Sequence, residues 1–114
     1  MLLKVRVMRM RAATEASFLA DVLTLAKLHG WRTIHVRPAW TKKGWKTPLQ
    51  GDGEGFPDLL MLKGMKIIAA ELKGPRGSVS HEQRAWLMAF REAGVISYLW
   101  RPKDWKRIEE ILSQ

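Results

Sequence analysis

The fold is decided by residues 56–74, which read FPDLLMLKGMKIIAAELKG. Two apolar runs of strand-like composition occur in this stretch, at residues 58–62 and 66–73. The dipeptide Gly64-Met65 separates them, and glycine in the first central position favours a type II′ turn. We therefore predict a tight β-hairpin, although a three-residue turn would shift its register by one position.

Two carboxylates face each other in the predicted hairpin. The two-residue turn places Asp58 opposite Glu71, and opposed side chains on paired strands have Cβ atoms about 4.5–5.5 Å apart. Such carboxylates repel each other unless a cation bridges them, and Mg²⁺ prefers carboxylate oxygens. Lys73 shares the face of Glu71 because side chains alternate along a strand. The alternative is that Glu71 and Lys73 form a surface ion pair that contributes little.

The remaining segments predict helices and strands around this hairpin. The fold class is α/β (α+β), with a central mixed sheet flanked by helices in the order α-β-β-β-α-β-α. A long polar loop is predicted before the hairpin, and five further helices and strands have recognisable boundaries. The segments are a helix between Thr14 and Gly30, a strand at 31–36, the loop at 37–56, a helix at 80–93, a strand at 95–100 and a helix from Pro102.

Two polar residues on the predicted helices fall on apolar faces. Glu15 lies on the helical stripe of Leu19 and Val22 and should point toward the sheet, where carboxylates are paired or bound to metal. It could equally stabilise the helix dipole from the first turn. Gln83 shares a face with Leu87, but Ser80 three residues earlier predicts a capping box, and the cap is the favoured interpretation without other observations.

Composition and charge point to a nucleic-acid partner. The chain has 114 residues, a formal net charge of +9 and no cysteine. Residues 14–114 are predicted to form a single domain, and residues 1–13 a basic arm or an extra strand, with Met8 or Met10 as alternative starts. Such a charge attracts polyanions, of which nucleic acid comes first. No apolar run of membrane-spanning length and no signal peptide are evident, so a cytoplasmic protein without membrane association is expected.

The same residues carry a family resemblance. Phe56-Pro57-Asp58 followed by Glu71-Leu72-Lys73 resembles the Pro-Asp … Glu-x-Lys signature of the PD-(D/E)XK nuclease superfamily. The continuation through Gly74-Pro75 to Ser80-x-x-Gln83-x-x-Trp86 is similar to the VRR-NUC branch, in its small stand-alone bacterial or phage form. The resemblance spans roughly residues 14–112.

The resemblance implies a restriction-endonuclease-like fold and a metal-dependent nuclease. Asp58, Glu71 and the main-chain carbonyl of Leu72 would bind Mg²⁺ or Mn²⁺, and Glu15 would support a metal, often through water. Lys73 would orient the attacking water or stabilise the transition state, and Gln83 would lie near the site. Together Asp58, Glu71, Lys73, Gln83 and Glu15 form the implied catalytic set.

Basic and aromatic side chains are the candidates for DNA contact. Phosphates are bound by Lys and Arg whatever the base sequence, and exposed tryptophans stack on bases. Each tryptophan of the loop could instead anchor that loop on the core. The predicted DNA-binding residues are Lys42, Lys43, Lys46, Arg76, Arg84, Trp40 and Trp45, to which Lys4, Arg6, Arg9 and Arg11 could add.

The leading hypothesis is a structure-specific DNA endonuclease. Small stand-alone VRR-NUC proteins resemble Holliday-junction resolvases, which act as homodimers because two symmetric cuts are needed. One alternative is a less selective nuclease or nickase. Another is a non-catalytic DNA-binding module with a degenerate nuclease fold, against which the complete Asp58, Glu71 and Lys73 set argues.

Overall fold

The computed structural model describes residues 14–36, 39–46 and 49–114, and of residues 39–41 and 45–46 it describes the backbone alone. The predicted residues 1–13 lie outside the described part. Three α-helices, a 3₁₀ turn and six strands occur among the described residues. They are α1 (Glu15–Leu28), β1 (Arg32–His35), β2 (Ala39–Thr41), β3 (Gly44–Lys46), β4 (Leu59–Lys63), β5 (Lys66–Leu72), α2 (His81–Glu92), β6 (Ile96–Trp100), a 3₁₀ turn (Pro102–Asp104) and α3 (Trp105–Leu112).

The four longer strands form a mixed sheet in the order β1-β4-β5-β6. The hairpin has the predicted two-residue turn, because Lys63 pairs with Lys66 and Gly64 has a φ of 59°. β1 adds to β4 antiparallel, whereas β6 pairs with β5 in parallel. The α+β class and the predicted order of elements are confirmed.

The helix boundaries follow the local capping chemistry. Thr14 caps α1 and Ser80 caps α2, and in each case the residue three positions later completes a capping box. The last helix begins later than predicted, since Pro102 opens a 3₁₀ turn in which the Arg101 N–H donates to Asp104 Oδ2 at 2.8 Å. Among the described residues, no helix is long and apolar enough to cross a membrane.

The predicted loop at 37–56 was wrong in one respect. It contains a second, two-stranded sheet in which β2 pairs antiparallel with β3, so that the Cα atoms of Trp40 and Trp45 are register partners. A turn at Lys42 and Lys43 joins these strands, and Gly44 follows it with a φ of 99°. Glycine adopts such a backbone without steric cost, which is why a polar, glycine-containing stretch closes into a hairpin here.

The sheet has a core face and a site face. Alternate residues of the hairpin, among them Leu59, Met61 and Leu72, lie in the hydrophobic core with side chains of α1 and α3. The opposite face carries Glu71 and is partly covered by α2, whose Leu87 carbonyl accepts a hydrogen bond from the Ser97 hydroxyl. The polar residues of interest therefore lie between the sheet and α2.

Asp21 is a buried carboxylate that the sequence analysis missed. It is 4% exposed among the apolar residues of α1, and its Oδ2 has no hydrogen-bond partner in the described part of the chain. Burial raises the pKa of Asp21. Its helical spacing from Phe18 and Leu25, which are both buried, was the available signal.

Asp21→Asn is expected to raise the melting temperature at pH 7 by a few degrees. Because the pKa of Asp21 is raised in the folded state, its bound proton increases the free energy of unfolding at low pH. This stabilisation is lost as the pH rises through the folded-state pKa. An uncharged amide avoids the cost of a buried charge. Calorimetry at pH 7 and pH 3 tests this, since the gain should vanish at pH 3, and an equal gain at both values would contradict it.

Candidate active site

Two hydrogen bonds join Asp58 to the end of β5, one to Glu71 and one to Leu72. The Asp58 backbone N–H donates to Glu71 Oε1 at 3.2 Å, and the Leu72 backbone N–H donates to Asp58 Oδ2 at 2.8 Å. These contacts continue the register that pairs Leu59 with Ala70. The predicted juxtaposition of the two carboxylates is confirmed.

Glu71 is the most unusual polar residue of the site. It is 1% exposed, and its Oε2 accepts no hydrogen bond from the residues that the structure describes. Burial raises the pKa of Glu71 to about 8, and the neighbouring Asp58 carboxylate acts in the same direction. Without a bound cation, burial and the neighbouring carboxylate therefore both favour the protonated form of Glu71.

Lys73 is held beside Glu71 rather than free on the surface. Its Nζ lies 3.5 Å from Glu71 Oε2, and the two side chains are only 12% and 2% exposed. The Lys73 backbone N–H donates to the Trp100 carbonyl at 3.0 Å, and a Cβ at Gly77 would lie 3.3 Å from Lys73 Cδ. The alternative of an exposed surface ion pair is therefore wrong.

Gln83 forms the predicted capping box at the start of α2. Its Oε1 accepts from the Ser80 N–H at 2.9 Å, and its own N–H donates to Ser80 Oγ at 3.1 Å. Within the described part of the chain, Gln83 Nε2 donates to no acceptor, and the side chain is half-buried. The cap thus uses the amide oxygen and leaves the amide nitrogen available for another ligand.

Glu15 does not lie where the helical stripe predicted. Its side chain is exposed, whereas we expected it to turn toward the sheet. Its backbone lies beside Gly74, directly after Lys73, because a Cβ at Gly74 would be 3.4 Å from the Glu15 nitrogen. Glu15 is the first residue of α1 and lies just beyond the end of β5. Its neighbour there, Gly74, has no side chain that would cover the Glu15 carboxylate.

Among the described residues, no three His, Asp or Glu side chains are gathered as a metal-binding group. The structure therefore brings Asp58, Glu71 and Lys73 together and does not add the Glu15 carboxylate to them. A cavity of about 420 Å³ on the outer side of α2, lined in part by Asp52, Glu54 and Trp86, does not include this cluster. The carboxylate pair instead lies at the end of the hairpin remote from the Gly64 turn.

The family model of the VRR-NUC domain matches residues 23–103 of the sequence. This chain belongs to the VRR-NUC family. The match includes Asp58, Glu71, Lys73 and Gln83, whereas Glu15 lies outside it. No curated protein and no solved structure matches the chain. Membership of this family indicates a nuclease-type function.

The residues of this VRR-NUC protein fit a divalent cation. The clustered carboxylates of Asp58 and Glu71 supply the oxygen ligands that hard cations prefer. Glu71 Oε2 is buried and accepts no hydrogen bond from the described residues, so a bound cation would add to the compensation that the Lys73 ammonium provides from 3.5 Å. Both observations agree with a cation between the two carboxylates.

Four of the predicted DNA-binding residues of the VRR-NUC protein have described side chains, and all four are exposed. Lys42 and Lys43 are exposed at the β2–β3 turn, Arg76 is exposed on the loop after β5, and Arg84 is exposed on α2. The backbones of Trp40, Trp45 and Lys46 lie on β2 and β3, and the orientation of their side chains is outside the described part. Lys4, Arg6, Arg9 and Arg11 lie outside it altogether.

The four tryptophans outside the 37–56 segment are of two kinds. Trp31, Trp100 and Trp105 are buried in the core. Trp86 is half-buried, and its indole N–H donates to main-chain carbonyls of the segment that precedes Asp58. Sequence reasoning missed this arrangement, because a tryptophan on the apolar side of a helix is ordinarily a core residue.

Proposed function

We propose that this chain is a metal-dependent endonuclease that hydrolyses DNA phosphodiester bonds. The observation that carries the proposal is the Asp58–Glu71 pair, with its unsatisfied Glu71 Oε2 and the Lys73 ammonium 3.5 Å away. Carboxylates, a buried cationic side chain and a net charge of +9 suit a substrate made of phosphodiesters. The cofactor would be Mg²⁺ or Mn²⁺.

Each residue has a distinct role in this proposal. Asp58, Glu71 and the Leu72 carbonyl would hold the cation, and Glu15 would support it through water from the start of α1. When bound, such an ion lowers the pKa of water and offsets charge on a phosphoryl oxygen. Lys73 would hold the attacking water or neutralise the phosphate in the transition state. Gln83 would donate from its amide nitrogen to the substrate.

The preferred substrate is proposed to be branched DNA, cut by a homodimer as in Holliday-junction resolution. Two symmetric cuts need two active sites, and a two-fold dimer is the commonest oligomer. Lys42, Lys43, Arg76 and Arg84 would bind phosphates, and Trp40 and Trp45 would stack on bases beside Lys46. This finer assignment rests on the family and on the charge of the chain.

A cleavage assay with Mg²⁺ or Mn²⁺ tests the proposal on four substrates: a four-way junction, a flap, a linear duplex and a single strand. Paired symmetric nicks at the junction are expected, together with no cutting in EDTA. Cutting of all four substrates would indicate a less selective nuclease. Metal-independent DNA binding without any cutting would favour a non-catalytic module and contradict the proposal.

A further inference from the structure

The turn that precedes Asp58 is held by α2, whereas Asp58 itself is bonded to the sheet side, where its carbonyl accepts from the Val36 N–H at 2.9 Å. Trp86 Nε1 lies 3.0 Å from the Asp52 carbonyl oxygen and 3.1 Å from that of Glu54. One indole N–H thus serves two carbonyls of the same turn, which the Phe56 N–H closes by donating to the Gly53 carbonyl. Asp58 follows Glu54 by only four positions.

Gly55 brings this turn into direct contact with the first turn of α2. Its φ is +80°, and a Cβ at this position would lie 2.6 Å from the Glu82 carbonyl carbon and 2.8 Å from the Gln83 nitrogen. Neither the backbone angle nor the space accepts a side chain. The chain therefore passes against the helix end that carries Gln83 immediately before it reaches Asp58.

An aromatic cluster fixes the next residue. The Phe56 ring meets the Trp86 ring edge-on, with centroids 5.0 Å apart, and meets the Phe90 ring at 5.9 Å. Pro57 then follows, fully buried. Gly55 is thus fixed by its contact with α2, Phe56 by packing against aromatic rings, and Pro57 by burial and by its own ring. The backbone that leads into Asp58 therefore has little conformational freedom.

We propose that Trp86 is a positioning residue: through the carbonyls of Asp52 and Glu54 it holds the turn that places Asp58 against Glu71. The same contacts keep Gln83, on α2, at a fixed distance from Asp58. The inference rests on the proposed function, because misplacing Asp58 impairs metal binding and cleavage only if Asp58 binds the cation. An error of about 1 Å in a positioned group can cost about 10²-fold in rate.

The test compares Trp86→Phe with Trp31→Phe. Trp86→Phe keeps an aromatic ring for the cluster and removes the N–H donor together with the second ring of the indole. Trp31 Nε1 also donates to a main-chain carbonyl, that of Leu112 at 2.8 Å, but Trp31 precedes β1 at the end of the sheet remote from Asp58. Both variants lose an indole hydrogen bond, so they separate a positioning effect from a loss of stability.

The readouts are Mn²⁺ affinity by calorimetry and the kcat and KM of DNA cleavage, all below the melting temperature of either variant. Trp86→Phe is expected to weaken Mn²⁺ binding about tenfold and to lower kcat about tenfold to 10²-fold, with KM for DNA unchanged. Trp31→Phe should leave all three unchanged. Gly55→Ala, where it folds, should reproduce the Trp86→Phe defect.

Two outcomes would overturn the positioning role. One is that Trp86→Phe binds Mn²⁺ and cuts DNA as the wild type does, and the other is that Trp31→Phe shows the same losses. A failure of the proposed function is distinguishable from these outcomes, because the wild-type protein itself would then not cut DNA. If the wild type binds Mn²⁺ without cutting, the comparison of Mn²⁺ affinities still decides the role of Trp86.

Discussion

Replacing Glu71 by glutamine is expected to lower metal-dependent DNA cleavage by at least about 10³-fold. Glutamine has almost the same shape, but it removes one of the two charges of the Asp58–Glu71 pair. Its amide nitrogen would also present a donor at the position where Glu71 Oε2 is buried without a hydrogen bond. The variant should therefore bind DNA with wild-type affinity and fail to bind Mn²⁺, as calorimetry and a gel-shift assay would show.

The same substitution is expected to stabilise the protein in EDTA. The folded-state pKa of Glu71, about 8, lies above its ordinary value of 4.5. The bound proton therefore contributes stability that is complete below about 4.5 and is lost as pH rises toward 8. Glutamine cannot ionise, so the melting temperature of Glu71→Gln should exceed that of the wild type by several degrees at pH 8.

Activity and stability thus move in opposite directions in this variant, which a general folding defect cannot produce. The matched control is Glu110→Gln, because the side chain of Glu110 is 52% exposed on α3 and its only described ion pair, with Arg107, is also exposed. That variant should change neither cleavage nor the pH dependence of melting. Retention of more than about a tenth of wild-type cleavage in Glu71→Gln would refute the assignment of Glu71.

Replacing Lys73 by methionine is expected to lower kcat by about 10²- to 10⁴-fold while Mn²⁺ binding persists. Methionine preserves the aliphatic stem against Gly77 and removes the ammonium that lies 3.5 Å from Glu71 Oε2. Because Lys73 lowers the pKa of Glu71, its loss should raise that pKa further and move the onset of Mn²⁺ binding to higher pH. Single-turnover cleavage and Mn²⁺ calorimetry across pH measure both effects.

Lys66→Met provides the comparison on the same strand. Lys66 begins β5 at the hairpin turn, is exposed, and lies at the opposite end of the strand from Lys73. Both variants lose one positive charge, so a general weakening of DNA attraction would affect them equally. If the Lys73→Met variant cuts DNA at the same rate as the Lys66→Met variant, Lys73 takes no part in the reaction.

Local sequence was sufficient for the hairpin and the carboxylate pair. A two-residue type II′ turn requires a positive φ at its first central position, and Gly64 adopts one. This turn sets the register in which Asp58 and Glu71 meet. The caps at Thr14 and Ser80 were also evident, because capping depends on residues three positions apart. These features involve neighbours in sequence, where spacing alone determines geometry.

Features that depend on contacts between distant segments were not predicted. Whether Glu15 is buried depends on how far α1 extends past the sheet, and its helical stripe predicted the wrong exposure. The role of Trp86 depends on a turn more than 30 positions earlier in the chain. Asp21 was missed although its helical spacing placed it among buried residues.

The sequence by itself therefore determined the hairpin, its register, the order of helices and strands, and the two facing carboxylates. Each follows from backbone preferences and side-chain alternation over a few neighbouring residues. Only the tertiary structure decided that Glu71 is buried with an unsatisfied oxygen, that Glu15 remains exposed, and that α2 holds the approach to Asp58. Burial and long-range hydrogen bonds are properties of packed segments, and no local pattern specifies which segment covers another.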